Sequence, residues 1–137
     1  MAEHLAELKK KGGGGALTET VLWTNPSPTS TWVYTQMINL SDDYTKYKYL
    51  KVIFRNSTTN SSERSVLIPT DEFAISGTEN TVTYMMGYLL SSTSLALMTR
   101  RILPDDSTTM HVTTCRQVNG TQLNDNLVIP KQVIGLK

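Results

Sequence analysis

Cys115 and His111, four residues apart, have the chemistry of a nucleophile and its base. A thiolate activated by an imidazole would serve acyl transfer, provided the two side chains meet. In a strand, residues four apart share a face but stand about 13 Å apart along it, so a packed thiol and a surface histidine are expected instead. A metal centre needs several such ligands, and the second histidine, His4, lies far away in a charged N-terminal segment. Carboxylates come in pairs, Asp42-Asp43, Asp71-Glu72 and Asp105-Asp106. A glycosidase sets two acids across a cleft, whereas these pairs stand in turn-like text, where aspartate caps backbone amides. No GxxxxGK[ST], GxGxxG, GxSxG or HExxH string occurs. The inventory calls for no catalytic residue, no cofactor and no metal.

Binding chemistry is better represented. Tyr44, Lys46, Tyr47, Lys48, Tyr49 and Lys51 interleave rings and cations. Such a surface could stack on sugars, on single-stranded nucleic acid or on a partner chain, with Tyr44, Tyr47, Tyr49 and Lys48 as the candidate ligand-binding residues. Equally, tyrosine and lysine are ordinary on the solvent face of an antiparallel strand, where lysine protects an edge. Trp23 and Trp32 flank a proline loop, as core residues covering one end of a fold or as a stacking platform. Arg100-Arg101 reads as one paired residue and one solvated residue.

The elements that must position these groups are strands. Thr18 to Thr24 and Thr31 to Leu40 are candidate strands on either side of Asn25-Pro26-Ser27-Pro28-Thr29-Ser30, where two prolines forbid helix. Tyr49 to Arg55 alternates Leu50, Val52 and Phe54 against Lys51 and Arg55, the clearest period-two signal in the chain. A polar loop, Asn56 to Glu63, precedes a Ser65 to Ile68 strand and a short Phe73 to Ile75 segment. Thr81 to Leu90 and Leu95 to Leu103 form a hairpin around Ser91 to Ser94, although Leu95 to Met98 could equally turn as helix. Thr109 to Cys115 follows the Pro104 to Ser107 turn, and Asn119-Gly120 marks another. Leu127 to Ile134 contains Pro130, which requires an edge position or a bulge. The expected core is Trp23, Leu50, Val52, Phe54, Leu67, Val82, Tyr84, Leu97, Val112 and Ile129.

Composition agrees with this reading. The 137 residues include 20 Thr, 12 Ser and 8 Asn, side chains that favour strands and turns over helices. Charged residues make up 18% and the net charge is +1, which writes no nucleic-acid surface into the balance. One cysteine excludes an internal disulfide, and no apolar run is long enough for a membrane helix or a secretory leader. The segment 1–11 differs: MAEHLAELKKK is helix-forming, with Leu5 and Leu8 as a short apolar stripe, and Gly12 to Gly15 separates it from the body. The expected organisation is a helical anchoring leader (1–11), a glycine hinge (12–15) and one all-β antiparallel β-sandwich, jelly-roll-like, over 16–137. The glycine tetrad reads as a natural hinge, with an engineered joint as the alternative.

Leu22-Trp23-Thr24-Asn25-Pro26-Ser27-Pro28-Thr29-Ser30, the Tyr47 to Arg55 strand and the closing Val128-Ile129-Pro130-Lys131-Gln132-Val133-Ile134-Gly135-Leu136-Lys137 resemble a domain that ends structural proteins of tailed bacteriophages and prophages of Gram-positive bacteria. That group opens its body with an LWTN-SPTS phrase and closes on IP-x-x-I-x-GIK; here Val133 and Ile134 precede the glycine where the group carries an aromatic. The resemblance implies a β-sandwich, commonly a homotrimer, without enzymatic activity. It would be displayed on the virion surface as a fibre head, tail tip or capsid decoration, after assembly in the host cytoplasm. It carries over no site residue. The implied partners are further copies of the chain, other virion proteins reached through the leader, and a host cell-surface glycan. Neither nucleic acid nor membrane insertion is expected. The alternative function is a carbohydrate-binding receptor-recognition module.

Overall fold

The computed structural model describes residues 17–73, 84–89, 97–117 and 125–137, and for 84–89 and 97 the backbone alone. The leader with Leu5 and Leu8, the glycine hinge, Val82, the 91–94 loop, the Asn119-Gly120 turn and the side chains of Tyr84 and Leu97 lie outside the described residues. Nine strands are present among the described residues: β1 (Glu19–Thr24), β2 (Ile38–Asn39), β3 (Tyr49–Ser57), β4 (Glu63–Pro69), β5 (Tyr84–Leu89), β6 (Leu97–Pro104), β7 (Thr109–Val112), β8 (Arg116–Gln117) and β9 (Leu127–Leu136). They form two antiparallel sheets, one of four strands in the order β1-β9-β3-β4 and one of five in the order β2-β7-β6-β5, where β8 also pairs with β6. A 3-10 helix (Tyr44–Lys46) and one helical turn, α1 (Thr70–Phe73), interrupt the strands.

The period-two text of β3 sets the register. Leu50, Val52 and Phe54 are buried on one face, and Leu50 and Val52 stand opposite Ile68 and Val66 of β4. That pairing turns Leu67 outward: it is 54% exposed, and its expected place in the core is taken by Ile68, which is fully buried. The run Ser65-Val66-Leu67-Ile68 has apolar residues on both parities, so only the cross-strand partners decide which face is inward. Val112 and Ile129 are buried as expected, alongside Met98, Ile102 and Met110, and residues of both sheets share one hydrophobic cluster.

Two bulges adjust the four-stranded sheet. The β1–β9 register shifts between Val21 and Trp23, which places Leu22 in the core and leaves Trp23 half-buried against it, edge-on to Trp32 at 5.3 Å. β9 lies inside its sheet, between β1 and β3, so Pro130 sits at a bulge instead of an edge: Ile53 opposes Gln132, Phe54 opposes Pro130, and Lys131 is left over. The backbone groups released there are recovered by Asn25, whose N–H donates to the Lys131 carbonyl at 2.8 Å and whose Nδ2 donates to the Pro130 carbonyl at 2.7 Å.

The expected strand over Thr31 to Leu40 shrinks to Ile38–Asn39. Upstream of it the backbone bonds elsewhere: Trp32 N–H donates to the Asp125 carbonyl, and Val33 and Gln36 close a turn on each other. Phe73, expected to begin a strand segment, ends α1 and packs edge-on against Tyr44 at 5.6 Å. Val128 adopts a φ of 51°, a left-handed conformation that costs a β-branched residue about 1–2 kcal/mol.

Outside the core, the solvent face of the four-stranded sheet carries a row across all its strands. Val21 opposes Ile134, Ile134 opposes Lys51, and Lys51 opposes Leu67. The next row contains Glu19, Leu136, Tyr49 and Pro69.

Candidate functional site

The tyrosine and lysine run does not form one surface. Asp43 caps the 3-10 helix, its Oδ1 accepting from Thr45 N–H at 2.8 Å, and this turn breaks the alternation before β3 begins. Tyr44 is consequently buried, and burial raises its hydroxyl above the ordinary pKa. Tyr47 is buried too, its hydroxyl donating to Asp42 Oδ2 at 3.2 Å and its ring lying over Gly135. Of the four candidate ligand-binding residues, Lys48, exposed, and Tyr49, half-buried, face solvent, with the Lys48 ammonium 5.8 Å from the Tyr49 ring centre. A stacking platform of Tyr44, Tyr47 and Tyr49 is thus replaced by two core rings and one surface ring. Asp42 is held below the ordinary carboxylate pKa, first by the Lys46 ammonium and then by the Asp43 amide. Asp106 also acts as a cap, accepting from the amides of Thr108 and Thr109, which lowers its pKa as well, whereas Asp71 and Glu72 lie in the helical turn α1.

His111 and Cys115 part company. β7 alternates, so Met110 and Val112 point inward and His111 outward. There its Nδ1 lies 2.9 Å from both carboxylate oxygens of Asp105. Cys115 is fully buried, and burial pushes its thiol up to about 11, against the partial help of the Arg100 charge. A thiol so placed is a packed side chain. Among the described residues no three of His, Cys, Asp and Glu converge as metal ligands.

A concave feature lies on the solvent side of β6, β7 and β8. Among the described residues, Tyr34, Arg101, His111, Thr113, Thr114 and Arg116 line an open depression of about 310 Å³, and none of the six is acidic. Each comes from a different local cause. Arg100 and Arg101 are neighbours on β6, so one faces in and the other out. Thr113 is bound to Arg101 through both backbone and hydroxyl: its N–H donates to the Arg101 carbonyl at 2.9 Å, and its Oγ1 accepts from the Arg101 N–H at 3.0 Å. Arg116 pairs with Thr99, whose hydroxyl donates to the Arg116 carbonyl at 3.0 Å. Tyr34 projects from the 32–37 loop and is 58% exposed.

Beneath this wall the buried Arg100 ties the segments together. Its Nε donates to the Thr113 carbonyl at 2.7 Å, Nη1 to the Leu127 carbonyl at 3.3 Å, and Nη2 to the Trp32 carbonyl, two residues before Tyr34. Asp125 supplies the countercharge at 3.6 Å. Desolvation lowers the Arg100 pKa and Asp125 opposes it. An arginine is suited to this because its planar fork offers five donors in fixed directions.

From sequence, Arg101 and His111 are visible as outward positions of alternating strands, but Tyr34, Thr113, Thr114 and Arg116 carry no separate signal. Their association depends on Arg100, whose partners are backbone carbonyls with no signature in the residue types. No protein-family model matches the chain, and no curated protein matches it.

Proposed function

We propose that this chain is a non-enzymatic virion structural protein of a tailed phage, a fibre, tail-tip or capsid appendage domain that assembles on the particle surface and mediates host adhesion. Its two sheets are the layers of a β-sandwich. The pairing of β1 with β9 and of β2 with β7 supports a jelly-roll-like order, and the hydrophobic cluster fed by both sheets supports the layering. The leader docks it to other virion proteins.

The observation that carries the reading is the row Val21–Ile134–Lys51–Leu67 on the outer face of the four-stranded sheet. An outer face turned to water alternates to polar residues. Here Val21 and Leu67 are 51% and 54% exposed at the two ends of the row, with Ile134, already buried, and the charged Lys51 between them, and the next row sets Leu136, Tyr49 and Pro69 beside Glu19. An apolar face of this kind suits self-association, and the homotrimer buries it against further copies.

Light scattering on the full chain and on a Val21→Lys/Leu67→Lys variant tests this. The expected masses are three times 15.3 kDa for the chain and 15.3 kDa for the variant. A monomeric wild type across the micromolar range overturns the assembly reading. The second reading, a receptor-recognition module for carbohydrate, is favoured by the Tyr34 and Arg101 depression.

A further inference from the structure

We infer that the depression between Tyr34, Arg101, His111, Thr113, Thr114 and Arg116 is a binding site for an acidic sugar, a saccharide bearing a carboxylate or a phosphate. The exposed Arg101 brings a guanidinium to the lining and none of the six lining residues is acidic, while Asp105 at the margin matches the His111 imidazole, so Arg101 is the group an anion meets in a chain that carries only +1 as a whole. Asp105 stands at the margin and engages His111 Nδ1 at 2.9 Å, which orients the ring. Arginine recognises carboxylate and phosphate alike, through paired N–H donors.

Charge alone would describe a site for any anion. Tyr34 adds an exposed aromatic face beside the cations, the surface on which the apolar side of a pyranose ring rests. Thr113 and Thr114 add hydroxyls to the lining, that of Thr113 already accepting from the Arg101 N–H and left to donate. The footprint is one depression of about 310 Å³, which suits one or two sugar rings.

The site is also built in advance. Arg100, itself 1% exposed, holds the Thr113 and Trp32 carbonyls, and therefore the two segments bearing Thr113 and Tyr34, at one fixed separation. Binding then orders few side chains. Arg100 acts here as a positioning residue and touches no ligand.

The inference rests on the adhesion reading for its biological setting only, and the two fail separately. Isothermal titration of the full chain would compare glucuronate, glucose 6-phosphate, glucose, inorganic phosphate and a ten-residue oligothymidylate. Glucuronate and glucose 6-phosphate are expected to bind at least about tenfold more tightly than glucose, and Arg101→Gln to remove that advantage. Tyr34→Ala is expected to weaken both acidic sugars several-fold while leaving phosphate unchanged. Both substitutions are at exposed positions, so unchanged melting temperatures verify the fold. Phosphate binding as tightly as glucose 6-phosphate would reduce the site to an adventitious anion site and overturn the inference. Equal binding of glucose and glucuronate, tightest binding of the oligonucleotide, or no heat with any sugar would overturn it too. A monomer that still binds glucuronate would sink the assembly reading alone, and a trimer that binds no sugar would sink this inference alone.

Discussion

The Arg100 guanidinium lies 3.6 Å from the Asp125 carboxylate, while Arg101, the next residue, faces solvent. The buried member of this doublet donates to carbonyls of Trp32, Thr113 and Leu127, which come from three separate segments. Arg100→Met removes all these donors and leaves Asp125 without its countercharge. The expected loss is about 3–5 kcal/mol in urea unfolding. Arg100→Lys should recover only a minor part, because an ammonium places three donors on one atom and cannot span carbonyls that the fork reaches separately. A lysine variant as stable as wild type would show that charge alone, without geometry, satisfies the knot.

Gly135 illustrates a close approach that only glycine permits. A methyl group there would stand 2.5 Å from Cδ1 and 2.6 Å from Cγ of Tyr47, against a ring anchored by its Asp42 bond and flanked by the Lys137 ammonium. Gly135→Ala is expected to cost about 1–3 kcal/mol. In a Tyr47→Leu background the same change should cost about 1 kcal/mol less, since the flexible leucine can move aside. Additive losses in this double-mutant cycle would mean that the strain lies in the backbone and not in the ring.

How far the text predicts the molecule depends on what each element pairs with. β3 is legible because its alternation is complete, and everything that pairs with it inherits a register. Leu67 is misplaced because Ser65-Val66-Leu67-Ile68 offers apolar residues to both faces, and only Val52 and Leu50 across the strand select Val66 and Ile68. Tyr44 and Tyr47 look like a surface pattern until the Asp43-capped turn rotates them inward. Pro130 correctly requires irregularity, yet the central position of β9 depends on Asn25, more than a hundred residues earlier, recovering the released carbonyls. The depression is the least legible feature: its outward residues are ordinary, and the side chain that organises it is an arginine at an inward strand position, where periodicity anticipates an apolar residue.

Asn25 is itself open to a sharp test. It is buried, donates to the Pro130 carbonyl at 2.7 Å and accepts from Ser27 N–H at 2.8 Å. Asn25→Ala should cost about 1–3 kcal/mol through two lost bonds at a buried bulge. Asn25→Asp keeps the acceptor for Ser27 but aims a carboxylate at the Pro130 carbonyl, so at neutral pH it is expected to destabilise more than alanine. Chemical denaturation of the pair at pH 7 ranks them, and an aspartate variant more stable than the alanine variant would show that the Ser27 bond matters more than the bulge.

Cys115 provides the test in pH. Its thiol is fully buried and is pushed from an ordinary 9.0 to about 11, principally by desolvation. The folded state therefore holds this proton more tightly than the unfolded chain. The associated stability is complete below about pH 9 and is lost as pH rises toward about 11, where the native thiol also ionises. A rise of that size is worth at most about 3 kcal/mol. Cys115→Ala should be less stable at pH 7 by about 1–2 kcal/mol, because the sulfur leaves a small cavity. It should then decline less steeply than wild type between pH 9 and 11, so the two stabilities converge or cross. Urea midpoints of both proteins at half-unit intervals from pH 7 to 11 cancel the tyrosine and lysine titrations they share. Parallel curves would mean that the thiol does not ionise in the unfolding equilibrium, and native reactivity toward a disulfide reagent at pH 8 would contradict the burial itself.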